Sequence, residues 1–86
     1  MLPDIPVEAP RIEGPDSVYP YDIVEYKILN ASDGKWILSN NRACITNINN
    51  ISVTIEIISG KSGDFSLIYR TNGNPEIVKT IKILSL

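Results

Sequence analysis

The sequence contains no histidine, one cysteine and one tryptophan. Histidine is the commonest general base near neutral pH and the commonest metal ligand in proteins, so its absence counts against an enzyme or a metal site. The single cysteine, Cys44, cannot form an internal disulfide, so packing and hydrogen bonds must hold the fold. Alternation in "RACITNI" predicts that Cys44 lies on a strand as a small apolar residue. A reactive thiol is the weaker alternative, because no histidine is available to activate it.

Positive charge is also scarce. Lys and Arg number 8 against 10 Asp and Glu, which gives a net charge of −2 at pH 7. A nucleic-acid backbone is bound by clustered cations, and the few basic residues here are scattered along the chain. We therefore expect no nucleic acid among the partners.

Long hydrophobic runs are missing too. A membrane-spanning helix needs about 20 consecutive apolar residues, and the apolar runs of this sequence are much shorter, so no membrane insertion is expected. The first ten residues, MLPDIPVEAP, have neither the cationic start nor the apolar centre of a signal peptide, and none is predicted.

Prolines are concentrated at the front of the chain, at positions 3, 6 and 10. Such a segment favours an extended, polyproline-like conformation, so residues 1–9 are predicted to be a linker or tail. Residues 10–86 then form one small domain, which is expected to bury roughly 60–65% of the surface of its unfolded chain.

The sequence is rich in β-branched and aromatic residues that occur in short alternating stretches. From Arg11 onward, strand signals recur about every ten residues, separated by Gly, Asn, Asp and Pro. This spacing predicts an all-β fold, an antiparallel sandwich of about seven strands around one core. Alternation assigns these residues to the core: Val24, Tyr26, Ile28, Trp36, Leu38, Val53, Ile55, Ile57, Phe65, Leu67, Tyr69, Ile81 and Ile83.

Paired Asn, Asp and Gly residues mark the turns between these strands. Asp33-Gly34 is the expected corner before the short strand of Trp36, and Asn72-Gly73 is typical of a hairpin loop. Two further turns are predicted at Asn40-Asn41 and Asn49-Asn50.

The stretch KSGDFSL, from Lys61 to Leu67, resembles the D-x-G-x-Y-x-C run of immunoglobulin domains. Gly63 matches, Lys61 replaces the aspartate, Phe65 replaces the corner tyrosine and Leu67 replaces the second disulfide cysteine. The resemblance implies an Ig-like sandwich without a disulfide, in which apolar side chains fill the space of the bridge. It also implies that Trp36 is the core tryptophan of the third strand.

The opening PRIEGPDSVYPYDIVEYKI and the closing SGDFSLIYR and IVKTIKILSL are similar to Ig-like modules of tailed-bacteriophage virion proteins. The most distinctive match is I-x-GP-x-x-VYPYD, which is carried by Gly14, Pro15, Val18, Tyr19, Pro20, Tyr21 and Asp22. The resemblance implies a non-enzymatic accessory domain of a head, connector or tail protein on the virion surface. Its implied partners are other virion subunits or host cell-surface carbohydrate. The alternative is a spacer or adhesin repeat of a bacterial cell-surface protein.

No motif for catalysis or for cofactor binding is visible. The carboxylates are dispersed over separate turns and strands, so no acid pair of the glycosidase type is predicted. SDGK and SGKSG lack the spacing of a phosphate-binding loop, and SDG lacks the acidic ladder of a calcium loop. We therefore predict no catalytic residue, no metal ligand and no cofactor.

An interaction surface is expected at the loop tips or at an unpaired sheet edge. The candidate tips are Ser32–Lys35, Asn40–Arg42, Lys61–Gly63 and Asn72–Asn74, and the sequence does not decide among them. Tyr19 and Tyr21 flank Pro20 in front of a strand. They are expected to cover an end of the sandwich, with ligand binding as the alternative.

Overall fold

The computed structural model describes residues 9–73 and 75–85. Within these ranges the chain is all-β, without a helix, and has eight strands. The strands are β1 (Arg11–Glu13), β2 (Ser17–Val18), β3 (Ile23–Leu29), β4 (Lys35–Leu38), β5 (Ala43–Ile48), β6 (Ser52–Ile57), β7 (Gly63–Arg70) and β8 (Ile77–Ile83). The predicted extended segment 1–9 lies outside the described residues, except for Ala9.

The eight strands form two sheets of four that stack as a β-sandwich. One sheet has the strand order β1-β3-β6-β5, and the other has the order β2-β8-β7-β4. The strand pairs are antiparallel except β2–β8, which is parallel. The predicted all-β sandwich is confirmed. The described residues nevertheless contain one strand more than the seven predicted, and one pair is not antiparallel.

The additional strand arises because the front of the chain changes sheets. β1 pairs with β3, and after Gly14 and Pro15 the two residues of β2 pair with β8. Pro15 has no N–H group to donate, which interrupts the first pairing at that point. Two residues are too few for alternation to be recognised, so the sequence pattern could not indicate β2.

The core lies between the two sheets, and the predicted core residues face it. Val24 and Leu38 are half-buried at its margin, whereas the others are buried. Ile12, Val18 and Ala43 complete the buried apolar set. Each fully buried Ile, Leu or Phe contributes about 1.5–3 kcal/mol by leaving water, and this burial replaces the missing disulfide as the main source of stability.

Tyr26 lies on β3 in the first sheet and is fully buried. Its hydroxyl is hydrogen-bonded to the β1–β2 connection. The hydroxyl donates a hydrogen bond to the Pro15 carbonyl oxygen at 2.7 Å, and the ring lies against Gly14, where an added Cβ would be 2.2 Å from Cδ1. Burial, and to a lesser extent the negative charge of Asp16, raises the pKa of the Tyr26 hydroxyl above its ordinary value of about 10.

Tyr69 has the equivalent position in the second sheet. Its hydroxyl accepts a hydrogen bond from the Gly34 N–H at 2.6 Å and donates one to the Asn50 carbonyl oxygen at 3.0 Å. Trp36 packs edge-on against the ring at a centroid distance of 4.9 Å, and its Nε1–H donates to the Asn49 carbonyl oxygen at 3.1 Å. Trp36 is therefore a core residue, as predicted, and both aromatic polar groups are satisfied.

The four predicted turns are of two kinds. Asn49-Asn50 and Asn72-Gly73 join neighbouring antiparallel strands, so the predicted hairpin at Asn72-Gly73 is confirmed. Asp33-Gly34 and Asn40-Asn41 instead carry the chain from one sheet to the other. Cys44 lies on β5, as the alternation predicted.

Stability should fall in alkaline solution because of Tyr26. An unfolded phenol ionises near pH 10, whereas the folded protein keeps Tyr26 neutral to higher pH, so the free energy of unfolding decreases above about pH 10. Tyr26→Phe loses a hydrogen bond, about 0.5–1.5 kcal/mol at neutral pH, but removes this ionisation. Urea denaturation of both proteins between about pH 8 and 11 should show their stability difference narrowing; a constant difference would contradict the prediction.

Gly34 should tolerate no side chain. An added methyl group would lie 2.4 Å from Cε2 of Tyr69 and 2.7 Å from the Arg70 carbonyl oxygen, so we expect Gly34→Ala to cost about 1–3 kcal/mol. Gly60→Ala is the matched control, because its methyl group would meet only the outer end of the exposed Tyr21 side chain. Equal urea midpoints for the two variants would show that Tyr69 does not constrain Gly34.

Candidate functional site

The sandwich topology gathers the loops at its two ends. One end carries the start of β1 and the β3–β4, β5–β6 and β7–β8 loops, and the other carries the β2–β3, β4–β5 and β6–β7 loops. Of the predicted loop tips, Ser32–Lys35 and Asn72–Asn74 lie at the first end, although Asn74 is outside the described residues. Asn40–Arg42 and Lys61–Gly63 lie at the second end. The predicted tips therefore form two separate pairs.

The first end contains a cleft of about 540 Å³, called the loop cleft below. Its described lining residues are Ala9, Pro10, Asn30, Ala31, Ser32, Asp33, Thr71, Pro75, Glu76 and Ile77. This volume is within the range of about 300–1,000 Å³ that is typical of small-molecule sites.

The lining of the loop cleft alternates between apolar and hydrogen-bonding groups. Two proline rings and the side chains of Ala31 and Ile77 supply aliphatic surface, while hydroxyl, amide and carboxylate groups supply donors and acceptors. The described lining includes two carboxylates, Asp33 and Glu76, and no basic residue. The cleft therefore suits a small polar ligand with an apolar face better than an anion.

Hydrogen bonds from the strands fix the walls of the loop cleft. Asn30 is in the left-handed region with φ 66°, a conformation that asparagine tolerates better than most residues. Its Nδ2 donates to the Ala9 carbonyl oxygen at 3.4 Å. Arg70 Nε donates to Glu76 Oε2 at 2.5 Å, which orients one carboxylate and offsets its charge.

Thr71 lines the loop cleft at the end of β7 and is the one buried polar residue among those described. Its side chain follows the inward alternation of Phe65, Leu67 and Tyr69, and only 9% of the residue is exposed. Its Oγ1 has no hydrogen-bond partner among the described residues. An unsatisfied buried hydroxyl costs about 1–3 kcal/mol, so this group weakens the fold at the cleft.

The second end displays apolar side chains around a tight turn. The Asp22 N–H donates to the Tyr19 carbonyl oxygen at 3.2 Å, and the Tyr19 N–H donates to Asp22 Oδ2 at 2.9 Å. Tyr21 occupies the third turn position with φ 68°, where glycine or asparagine is usual. Tyr19 and Tyr21 are 46% and 66% exposed, and Ile23 is 67% exposed. The two predicted tyrosines therefore cover little of the core.

A second groove, of about 470 Å³, adjoins this turn. Asn40, Asn41, Arg42, Ile58 and Ser59 line it. Arg42 packs against the β6–β7 loop, since an added Cβ at Gly63 would lie 2.7 Å from its Nη1, and its carbonyl oxygen accepts from the Ile58 and Ser59 N–H groups. No buried unpartnered polar group points to a ligand here among the described residues.

The sheet edges are less suited than the loops to form an interaction surface. The outer strands are β1 and β5 in one sheet and β2 and β4 in the other. β1 has three residues, β2 two and β4 four. β5 has six, but its register shifts between Ile45 and Asn47. Short or bulged edge strands discourage the addition of another strand.

The part of the chain that the structure describes has neither a metal-binding cluster nor a membrane-spanning helix. Within residues 9–73 and 75–85, no three carboxylate or thiol side chains are close enough to hold a metal ion. None of the described segments is a helix long and apolar enough to cross a membrane.

Sequence reasoning found part of the loop cleft and missed the rest. Ser32 and Asp33 belong to a predicted loop tip, whereas Pro10, Asn30 and Glu76 enter the lining only through the pairing of distant strands. The position of Thr71 could be recognised in the sequence, because Thr71 directly follows β7 and continues the alternation of its inward-facing residues. A threonine at an inward position next to a turn indicates a polar group at the edge of the core.

Comparison of the chain with protein-family models, with curated proteins and with solved structures gave no match.

Removing the Thr71 hydroxyl should stabilise the protein. Thr71→Val keeps the shape of the side chain and removes a buried group that lacks a partner, so the free energy of unfolding should rise by about 1–3 kcal/mol. The exposed Thr80 is the matched control, and Thr80→Val should change stability by less than about 0.5 kcal/mol. Urea denaturation measures both. A loss of stability in Thr71→Val would show that the hydroxyl is satisfied.

Proposed function

We propose that this chain is a non-enzymatic Ig-like accessory module of a tailed-bacteriophage structural protein. In this proposal it is displayed on the virion surface, as part of a head, connector or tail protein. It binds host cell-surface carbohydrate or a neighbouring virion subunit through its loops. The observation that carries the proposal is a disulfide-free sandwich whose loops gather around a cleft.

The strand order supports the Ig-like assignment. In the order of neighbours within each sheet, β1-β3-β6-β5 corresponds to strands A-B-E-D of an immunoglobulin domain, and β4-β7-β8 corresponds to C-F-G. The short β2 then corresponds to a continuation of the first strand in the opposite sheet. Trp36 lies on β4, the position of the third-strand tryptophan, and packs on Tyr69. The sandwich topology favours the Ig-like interpretation over an unrelated arrangement of eight strands.

The front motif supports the phage assignment through its sequence, and the structure gives its residues physical roles. Gly14 makes room for the Tyr26 ring, and the Pro15 carbonyl oxygen accepts a hydrogen bond from the Tyr26 hydroxyl. Tyr19, Pro20, Tyr21 and Asp22 form the turn before β3. The motif is thus a sheet-crossing followed by a turn.

The alternative, a spacer or adhesin repeat of a bacterial surface protein, is favoured by one feature. β1 begins at the loop-cleft end, whereas β8 ends at Ile83 opposite Gly63, at the other end. A sandwich whose chain enters and leaves at opposite ends can be joined into a row. The two functions differ in what surrounds the module: a virion domain beside a single copy, or several similar copies in tandem.

The proposed function is tested on phage particles that lack residues 10–86. We expect these particles to assemble and to lose host attachment, thermal stability or both. Particles that carry Gly60→Ala serve as the control, because that change leaves both the core and the loop cleft in place. Truncated particles that attach and survive heating like the parent would refute the proposal. Tandem copies in the encoding reading frame would favour the spacer function instead.

A further inference from the structure

We propose that the loop cleft binds a neutral or amine-bearing saccharide unit, with the Thr71 hydroxyl as an anchoring group. This inference rests on the proposed function as a surface-binding module. It adds the location of the site, the class of saccharide that it accepts and the residue on which affinity depends.

The first argument is the state of Thr71. Its Oγ1 is buried, has no partner among the described residues and belongs to a residue that lines the cleft. Threonine has staggered χ1 rotamers that place its hydroxyl differently, and the proposed binding requires one that presents the hydroxyl to the ligand. A hydrogen bond to the ligand gives a partner to a hydroxyl that has none among the described residues, and this favours the bound state.

The second argument is the match between the lining and a sugar ring. A pyranose presents hydroxyl groups around its rim and C–H groups on its faces. The hydroxyl-bearing residues Ser32 and Thr71 and the carboxylate-bearing Asp33 line the loop cleft together with Pro10 and Pro75. The described lining has no aromatic ring on which a flat base could stack, so a hydroxylated aliphatic ring fits better than a nucleobase.

The third argument is charge. Asp33 carries a carboxylate with no ion-pair partner among the described residues, while Glu76 is paired with Arg70. No basic residue is part of the described lining. A carboxylated or phosphorylated sugar would approach Asp33 without a compensating cation, whereas an amino group would be attracted. The cleft should therefore select neutral and amine-bearing units and reject anionic ones.

The experiment is an NMR titration of the isotopically labelled chain, in which binding is detected by changes in the amide chemical shifts. The probes are glucosamine, N-acetylglucosamine and glucuronate at equal millimolar concentrations. The first two should shift the amides of residues 30–33, 71–73 and 76–77, whereas glucuronate should not. Shifts confined to the second end of the sandwich, or no shifts with any probe, would overturn the proposal. Equal responses to glucuronate and glucosamine would overturn its charge selectivity.

Two variants test the named residues, each with a matched control. Thr71→Val should weaken binding about three- to tenfold although the protein is more stable, and Thr80→Val should leave binding unchanged. Asp33→Asn should weaken the glucosamine response and allow glucuronate to bind, whereas Asp64→Asn, on β7 near the other end, should do neither. A Thr71→Val protein that binds like the parent would refute the anchoring role.

The outcome separates this inference from the proposed function. If particles need the module for attachment but Thr71→Val and Asp33→Asn particles attach normally, the loop cleft is not the site and the module binds elsewhere. If the isolated chain binds the sugars while particles without the module attach normally, the saccharide site stands and the virion role is wrong.

Discussion

Two buried tyrosines, each packed on a glycine and hydrogen-bonded to loop backbone, hold this sandwich together. Tyr26 fastens the sheet-crossing at Gly14 and Pro15, and Tyr69 fastens the β3–β4 loop at Gly34. Each ring fills the core while its hydroxyl hydrogen-bonds to the backbone of a connection between strands. These links fix where the two connections leave the core.

The loop cleft depends on the second of these links. The Tyr69 hydroxyl accepts a hydrogen bond from the Gly34 N–H. The chain continues from Tyr69 to Arg70, which orients Glu76, and then to Thr71, which lines the cleft. The cleft is therefore a consequence of core packing, because its walls are extensions of strands whose inner residues are fully buried. The Thr71 hydroxyl has no partner among the described residues, and this is a local cost that the rest of the core offsets.

The sequence predicted the layers and the core well because alternation is a local property. Val53, Ile55 and Ile57 face inward since every second side chain of a strand points to the same side, and no distant contact is needed to see this. The predicted hairpin at Asn72-Gly73 was likewise local, and Gly73 has the positive φ of 78° that such turns require. Two-residue β2 had no such signal, and its parallel pairing with β8 depends on where the last strand lies.

The chain by itself determined that two apolar faces would be buried against each other, which strands would carry them and that Trp36 and Tyr69 would be inside. Only the tertiary structure decided which loops meet. Ala9, Ser32 and Glu76 are far apart in sequence, and they share one cleft because β1, β3, β7 and β8 bring their ends to the same side. Strand order is set by pairings between distant segments, whose energies depend on the whole arrangement and not on any single stretch of sequence.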